Sequence, residues 1–566
     1  MSFTHLHVAS AFSGHYGVTR PELLAEAAAA RAERALAITD RNGLYGAIKH
    51  IGACLKLGLN PIVGVSLNIL NNQDEPLARC VIIAHGGDGG IGWAALCRLV
   101  SVANTVKRKE AGIRLEQLAK HIDRDGLTVA TVLLGPDSNF GRAALTEDRT
   151  TAAGILIQWL KALPGKGALA VEIATHLTEP GTPYSLTQAR RMLQLADNIG
   201  VPTVLTNAVR YLTPDDALTA DVLDAARYLE PLGKFEPQPN AQGWLKPARM
   251  MQKLAEEITE DRTRAKKLLE TTELLALKCE LNPEKDCGWG KPKTPEKALL
   301  GIDGNPFEVL WQKAHAAVDW RYPHAKEKKL LEVKHRLSKE LITINQLGFA
   351  TYFLTVADVA QMIRDMRIRI AARGSGAGSL TNYLLGISGV DPIEHDLLFE
   401  RFLSTERSSL PDIDIDVESA RRHDIYRAIF KRYGSERVTL LSMQSTYRGR
   451  GAMRDSGLAL GLDEEEIDDI AKNMWRFSAR KFRDAAESKP ELAKLNAALE
   501  SDRKMNLLVD ITERLDRLPR HISMHPCGVI LGDGNLLNLT PVETSGMGLP
   551  MSQYDKDDMD PMGMLK

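Results

Sequence analysis

Residues 410–419 read LPDIDIDVES, and no other stretch restricts the fold as tightly. Alternation at period two predicts a strand, with Asp412, Asp414 and Asp416 on one face and Ile413 and Ile415 on the other. Three like charges on one sheet face repel each other. The fold must therefore bring positive charge to them, and a divalent metal is the first candidate. The isoleucines argue for a sheet packed on one side. A calcium loop of the EF-hand type is excluded, because its Gly and Glu offsets are missing.

Some thirty residues upstream, AARGSGAGSL (371–380) is rich in small residues. Glycines let a backbone approach a ligand closely, and their N–H groups can form an anion nest. Ser375 and Ser379 add hydroxyls, and Arg373 adds charge. The stretch is not a Walker A loop, since no Gly-Lys-Ser/Thr follows; a plain glycine-rich turn is the alternative. Arg401 and Arg407 stand just ahead of the aspartates. A phosphate loop, arginines and a strand of carboxylates suit chemistry in which two metals bridge an attacking oxygen and a leaving phosphate.

The 566 residues are too many for one core and predict three or four domains. Net charge is −1, so any surface for nucleic acid must be local. None of the six cysteines (54, 80, 97, 279, 287, 527) forms a C-x-x-C pair, which excludes zinc-ribbon spacing and predicts buried free thiols in a reducing compartment. The opening MSFTHLHVAS is no signal peptide, and no apolar run approaches 18 residues. A cytoplasmic protein without a membrane partner is expected.

Up to about residue 215, short apolar runs (35–40, 61–70, 168–176, 201–212) alternate with helical patterns such as 20–33 and 46–59. This predicts a parallel, barrel-like α/β sheet. Pro/Gly-rich loops follow at 229–247 and 279–297, with helix between them over 248–280. From about 325 a long amphipathic helix runs to Gly348. Residues 455–517 read as charged helices, and the remainder as strand and loop.

The segment GFATYFLTVADV…ARGSGAGSLTNYLLGISGVDPIEHDLLFERFLSTERSSLPDIDIDVE, together with SQYDKDDMDPMGMLK (552–566), resembles the bacterial C-family DNA polymerases, the DNA polymerase III alpha family. The resemblance runs the length of the chain. It implies a multidomain α/β and α+β protein: a PHP-type α/β barrel with a helical extension (1–280), a polymerase-beta-like nucleotidyltransferase palm (281–443 and 519–566) and a helical thumb (444–518). It implies that Asp412 and Asp414 are catalytic and hold two Mg²⁺ ions. Arg373, Gly374, Ser375, Arg401 and Lys566 would face the incoming dNTP, and primer-template DNA would be the other substrate. Arg448, Arg450 and Arg454 of TYRGRGAMR would meet DNA phosphates; the alternative is a solvated basic helix face. The stretches 37–47, 206–214, 445–461 and 519–530 look like the error-prone, damage-response branch, whereas RGSGAGS matches the replicase form.

FTHLHVASAFS resembles the start of a PHP domain, where His5 and His7 would share a face as metal ligands. Its later ligands are replaced: Thr39-Asp40-Arg41 stands for Thr-Asp-His, and Ser66, Arg79, Ala208 and Arg210 stand where ligands are expected. Arginines in such a pocket repel cations or pair with a remaining carboxylate, so no metal and no phosphoesterase activity is expected there. In the family a third catalytic aspartate, the fingers, the sliding-clamp segment and an OB-fold region follow the position of Lys566. The expectation is an N-terminal fragment of an error-prone DNA polymerase, inactive alone, whose full-length form also meets the clamp and other replication or translesion proteins. The competing readings are a non-catalytic DNA-binding or assembly scaffold and a PHP phosphoesterase.

Overall fold

The structure is a computed structural model, and it describes residues 2–566 apart from 106–110, 147, 407–409, 473–477, 489, 494–495, 498 and 500–501. Arg407 thus lies outside the described residues. The chain divides into two compact units, one of residues 1–287, 443–523 and 541–544, the other of 288–442, 524–540 and 545–566.

The first unit is built on a curled sheet of seven strands. Ala35–Arg41, Asn60–Leu70, Pro76–Ala84, Ala130–Leu134, Leu169–Ile173 and Thr203–Leu205 lie side by side in that order, with Gly112–Arg114 beside Asn60–Leu70. The sheet is mixed, not parallel as the strand–helix alternation suggests: Asn60–Leu70 pairs antiparallel with Pro76–Ala84, and that strand antiparallel with Ala130–Leu134. The reason is local. Asn71–Glu75 make a tight turn, with Gln73 and Glu75 N–H groups donating to Asn71 Oδ1, so a hairpin replaces a crossover helix. The extended segment 5–9 links the edge strand Ala35–Arg41 to Val209, which follows the other edge strand, Thr203–Leu205. Ala37 and Thr39 N–H groups donate to the His5 and Val8 carbonyls, while Val209 donates to His7 and Ala9 donates to Val209. Of the 201–212 run only Thr203–Leu205 is strand. The expected helix 248–280 is two, Ala248–Thr259 and Arg262–Cys279, parted at Glu260 (φ 53°).

Within the same unit, Gly449–Ala459, Glu464–Lys472 and Arg503–Arg514 are helices. Met453, Ile467, Phe482, Leu508 and Val509 form a core among them.

In the second unit, helices Pro306–Arg321, Glu327–Gln346 and Ala350–Asp365 pack around Leu310, Leu337, Leu341, Phe353 and Phe402. The long helix ends as the sequence predicts, with Gly348 at φ 74°. A two-stranded antiparallel ribbon, Ile370–Arg373 with Asp414–Val417, carries Ile370 and Ile415 against that core, and Ile413 just ahead of it packs there too. Leu440 and Ser442 pair in parallel with Met551 and Asp555 of the strand Pro550–Asp555. Among the described residues no helix is long and apolar enough to cross a membrane.

Candidate active site

The aspartate run is less regular than its pattern. Only Asp414–Val417 is strand; Asp412 and Ile413 lead into it, and the Ile413 N–H goes to the Tyr352 hydroxyl instead of to a ladder. Within the strand the alternation holds, with Asp414 and Asp416 exposed and Ile415 and Val417 partly buried. Register places Arg373 opposite Asp414 and Ala371 opposite Asp416. Arg373 reaches diagonally, and its Nε lies 3.0 Å from Asp416 Oδ1. Asp416 therefore shares the face and is engaged by an arginine.

Asp412, Asp414 and Asp416 line one cavity of about 470 Å³ with Arg373, Lys556 and Lys566. Partial burial, then the neighbouring Asp412 and Asp416, push the Asp414 carboxyl above its ordinary value, against the pull of Arg373 and Lys566. Like charges are thus held together at a protein's expense. Among the described residues no three His, Cys, Asp or Glu side chains are grouped to hold a metal ion. The donor set is two carboxylates with open space before them. That suits a hard divalent cation completing its shell with oxygens of a ligand and water.

The glycine-rich turn abuts this cavity. Gly374 has φ 71°, and a Cβ there would lie 3.0 Å from Asp414 Oδ2, so the position favours glycine twice over. Ser375 is partly buried on the same turn. Ser379 is not a ligand donor: it is fully buried, its hydroxyl donates to Glu340 Oε2 and accepts from Asn382 N–H as a helix cap. Arg401 lies exposed on the turn Phe399–Arg401, next to the 374–378 turn, and is not among the cavity's lining residues.

Two residues that the pattern did not single out organise the site. Glu340, buried, accepts from Ser379 Oγ, Leu380 N–H and Thr381 N–H, and pairs with Arg336. It anchors the far end of the glycine turn. Tyr352, also buried, accepts from Ile413 N–H at 3.1 Å and donates to the Lys566 carbonyl at 3.0 Å. One phenol thereby fixes the entry of the aspartate strand and the backbone of the lysine that faces it. Burial, opposed by the Ile413 hydrogen bond and helped by Asp412 and Asp414, raises its pKa and keeps it a neutral donor. A Tyr inside an apolar helix is the only sequence signal for it. Lys566 Nζ lies 3.6 Å from Asp560 Oδ1. Cys527, expected to be buried, is exposed on the cavity wall, because its strand turns that face to open space.

In the first unit, the histidines do not form a metal pair. His5 is buried, its Nε2 is 2.8 Å from the Lys246 carbonyl, and burial lowers its pKa to about 4. His7 faces a small cavity instead, with Nδ1 2.6 Å from Glu172 Oε1. Burial pushes the Glu172 carboxyl up, but His7 and the Thr206 hydroxyl outweigh it and hold the value down. Asp40 accepts from Ser10 N–H and from the Ser10 and Ser13 hydroxyls, yet burial raises it to about 6. Cations fill this region. Arg41 and Arg210 stack on the Tyr16 ring at 3.3 and 3.9 Å, and Arg210 pairs with Asp224. Arg79 donates to Asn42 Oδ1 and the Ser66 carbonyl. Lys246, missed in the sequence, donates to Asn207 Oδ1 and the Gln242 carbonyl, and burial lowers it to about 8.

Arg448, Arg450 and Arg454 also belong to the first unit, exposed at the start of the helix Gly449–Ala459. Arg454 is spent on Asp468 at 2.6 Å.

Residues 308–566 match the family described as the bacterial DNA polymerase III alpha NTPase domain, and residues 5–176 match the PHP domain. An error-prone DNA polymerase of Symbiobacterium thermophilum is 30% identical over 583 residues, covering 100% of this chain and 51% of that protein. The DNA polymerase III subunit alpha of Bacillus subtilis is 28% identical over 574 residues, covering 100% of this chain and 48% of that protein. The chain spans about half the length of these curated relatives. A solved amidohydrolase of Chromobacterium violaceum aligns with 37% of this chain and 88% of its own at 14% identity and a TM-score of 0.26.

Proposed function

The chain belongs to the bacterial DNA polymerase III alpha family, and on that premise we propose that it carries the nucleotidyl-transfer site of a DNA-templated DNA polymerase of the error-prone branch. The observation that carries the reading is the cavity shared by Asp412 and Asp414 with Arg373, Lys556 and Lys566. Asp412 and Asp414 would hold divalent magnesium, which when bound stabilises the charge that develops on a transferring phosphoryl group. The chain's own residues do the rest. Arg373 spans from the register position of Asp414 to Asp416, tempering the repulsion among the carboxylates. The Gly374–Gly378 turn, three of whose five residues lack a side chain, offers backbone N–H groups and the Ser375 hydroxyl, and Lys566 and Lys556 offer cations to a triphosphate. Tyr352 and Glu340 keep both walls in place before any ligand arrives.

In this reading, residues 288–442, 524–540 and 545–566 supply the palm, the helices Gly449–Ala459, Glu464–Lys472 and Arg503–Arg514 belong to the thumb, and primer-template DNA is gripped in part through Arg448 and Arg450. The error-prone assignment is supported by relatives bearing that name. The PHP domain acts as scaffold: Arg41, Arg79, Arg210 and Lys246 occupy the region where cations would have to enter, which disfavours a phosphoesterase.

The test is calorimetric titration of the chain with dNTP in Mn²⁺, together with primer extension. Asp412→Asn and Asp414→Asn should weaken metal-dependent nucleotide binding at least tenfold and abolish extension where the parent shows it. Nucleotide binding that ignores both substitutions overturns the proposal.

A further inference from the structure

A second cluster in the unit that holds Asp414 has chemistry the nucleotidyl-transfer site does not use. Arg321, at the last turn of Pro306–Arg321, lies between two rings, with Cζ 4.2 Å from the Trp320 centroid and 4.4 Å from that of Tyr383. Its Nε is buried without a partner. The turn that carries Tyr383 continues to Gly386, whose N–H donates to the Tyr383 carbonyl. Gly386 (φ 74°) leaves room for Arg364: a Cβ there would lie 3.3 Å from Arg364 Nη2. Among the described residues neither guanidinium is ion-paired. Arg364 feels desolvation and then Arg321 as its largest influences, both unfavourable to its charge, and the nearby Asp365 carboxylate is itself taken by Gln361. Trp320 is 60% exposed.

Helix C-termini favour cations, which accounts for each arginine singly. It does not account for two guanidiniums close enough to disfavour each other's charge, neither of them ion-paired among the described residues, beside a tryptophan left in water. Such an arrangement gains stability from an external anion that carries a flat ring. We infer that Trp320, Arg321 and Arg364 form a binding site for single-stranded nucleic acid, with a backbone phosphate bridging the guanidiniums and a base stacked on the outer face of Trp320. The helix Leu380–Leu384, about 7 Å long at 1.5 Å per residue, separates this site from the glycine turn of the candidate active site. The spacing lets one strand touch both sites, although the inference needs only the cluster itself.

The experiment uses the whole chain with a fluorescein-labelled oligothymidylate, read by anisotropy over a salt series, and with the same oligomer carrying 5-iododeoxyuridine for photocrosslinking. The expected result is a crosslink at Trp320, roughly tenfold weaker binding in Trp320→Ala, and a few-fold loss in Arg364→Gln with a salt slope smaller by about one. Loss in Arg364→Gln with full binding by Trp320→Ala would mean a phosphate site only and would overturn the strand assignment. Parental affinity and slope in both variants, with crosslinks elsewhere, would overturn it altogether. Leu331→Ala, at a 63% exposed position of the helix Glu327–Gln346 and in neither site, serves as control and should leave oligothymidylate binding unchanged. All variants are first matched to the parent by circular dichroism.

Discussion

Tyr352→Phe removes one oxygen and keeps the ring, including its edge contacts with Phe349 and Phe353 at 6.4 and 6.1 Å. Two hydrogen bonds disappear: the one accepted from Ile413 N–H and the one donated to the Lys566 carbonyl. Each leaves a partly buried backbone group without a partner, at about 1–1.5 kcal/mol apiece, so the total is about 2–3 kcal/mol. If the strand entry stays in place, all of this appears as lost stability of the second unit. If the entry relaxes, part of it appears as weaker metal and nucleotide binding, up to roughly 30- to 150-fold at 1.4 kcal/mol per tenfold. Urea melts and Mn²⁺-dependent dNTP titration on the same preparation separate the two shares. The expected outcome is a stability loss of at least about 1 kcal/mol and a tenfold or greater rise in the Mn²⁺ concentration needed for nucleotide binding. A merely structural tyrosine would move only the melt. Stability within about 0.5 kcal/mol of the parent, with unchanged Mn²⁺ dependence, would refute the positioning role.

Gly374→Ala should leave the fold intact, since the residue is exposed, but should displace Asp414 and cost at least tenfold in metal-dependent nucleotide binding, measured by the same titration. Asp414→Asn should stabilise the protein at neutral pH while impairing the site. Its folded carboxyl value is raised, so ionisation costs stability as pH climbs past the ordinary carboxylate range, and the amide escapes that cost; a lower Tm for the variant at pH 7 would contradict this. Asp40, raised from 3.8 to about 6, holds its proton in the folded state over a range where the unfolded chain has lost it. Stability of the first unit should therefore fall, by up to about 3 kcal/mol, as pH rises from about 4 to 6. Asp40→Asn should flatten that slope in thermal melts taken across this window, and an unaltered slope would count against the assignment.

How much of this was legible beforehand varies with the range of the forces involved. The alternation that sends Asp414 and Asp416 outward and Ile415 inward, and the end of the long helix at Gly348, could be read from the chain alone, because periodicity and backbone sterics act within a few residues; the φ of 71° at Gly374 could not. Arg41, Arg79 and Arg210 at positions where the PHP resemblance implies ligands were also visible without coordinates, since they are replacements of residue type; that Arg41 and Arg79 line a small cavity with His7 while Arg210 stacks on Tyr16 was not. The chain alone could not determine that Asp412 lies outside the strand, that the N-terminal sheet turns antiparallel at Asn71–Glu75, or that Ser379 caps a helix on Glu340 instead of facing a ligand. Those follow from which distant group reaches a polar atom first. Glu340 is 39 residues from Ser379, Tyr352 is 61 from Ile413 and 214 from Lys566, and Lys246 is 241 from the His5 ring it caps through its carbonyl. A buried polar atom must find a partner, but which one is settled by packing, which brings these groups to 2.8–3.1 Å although nothing in their local sequence distinguishes them from solvated neighbours.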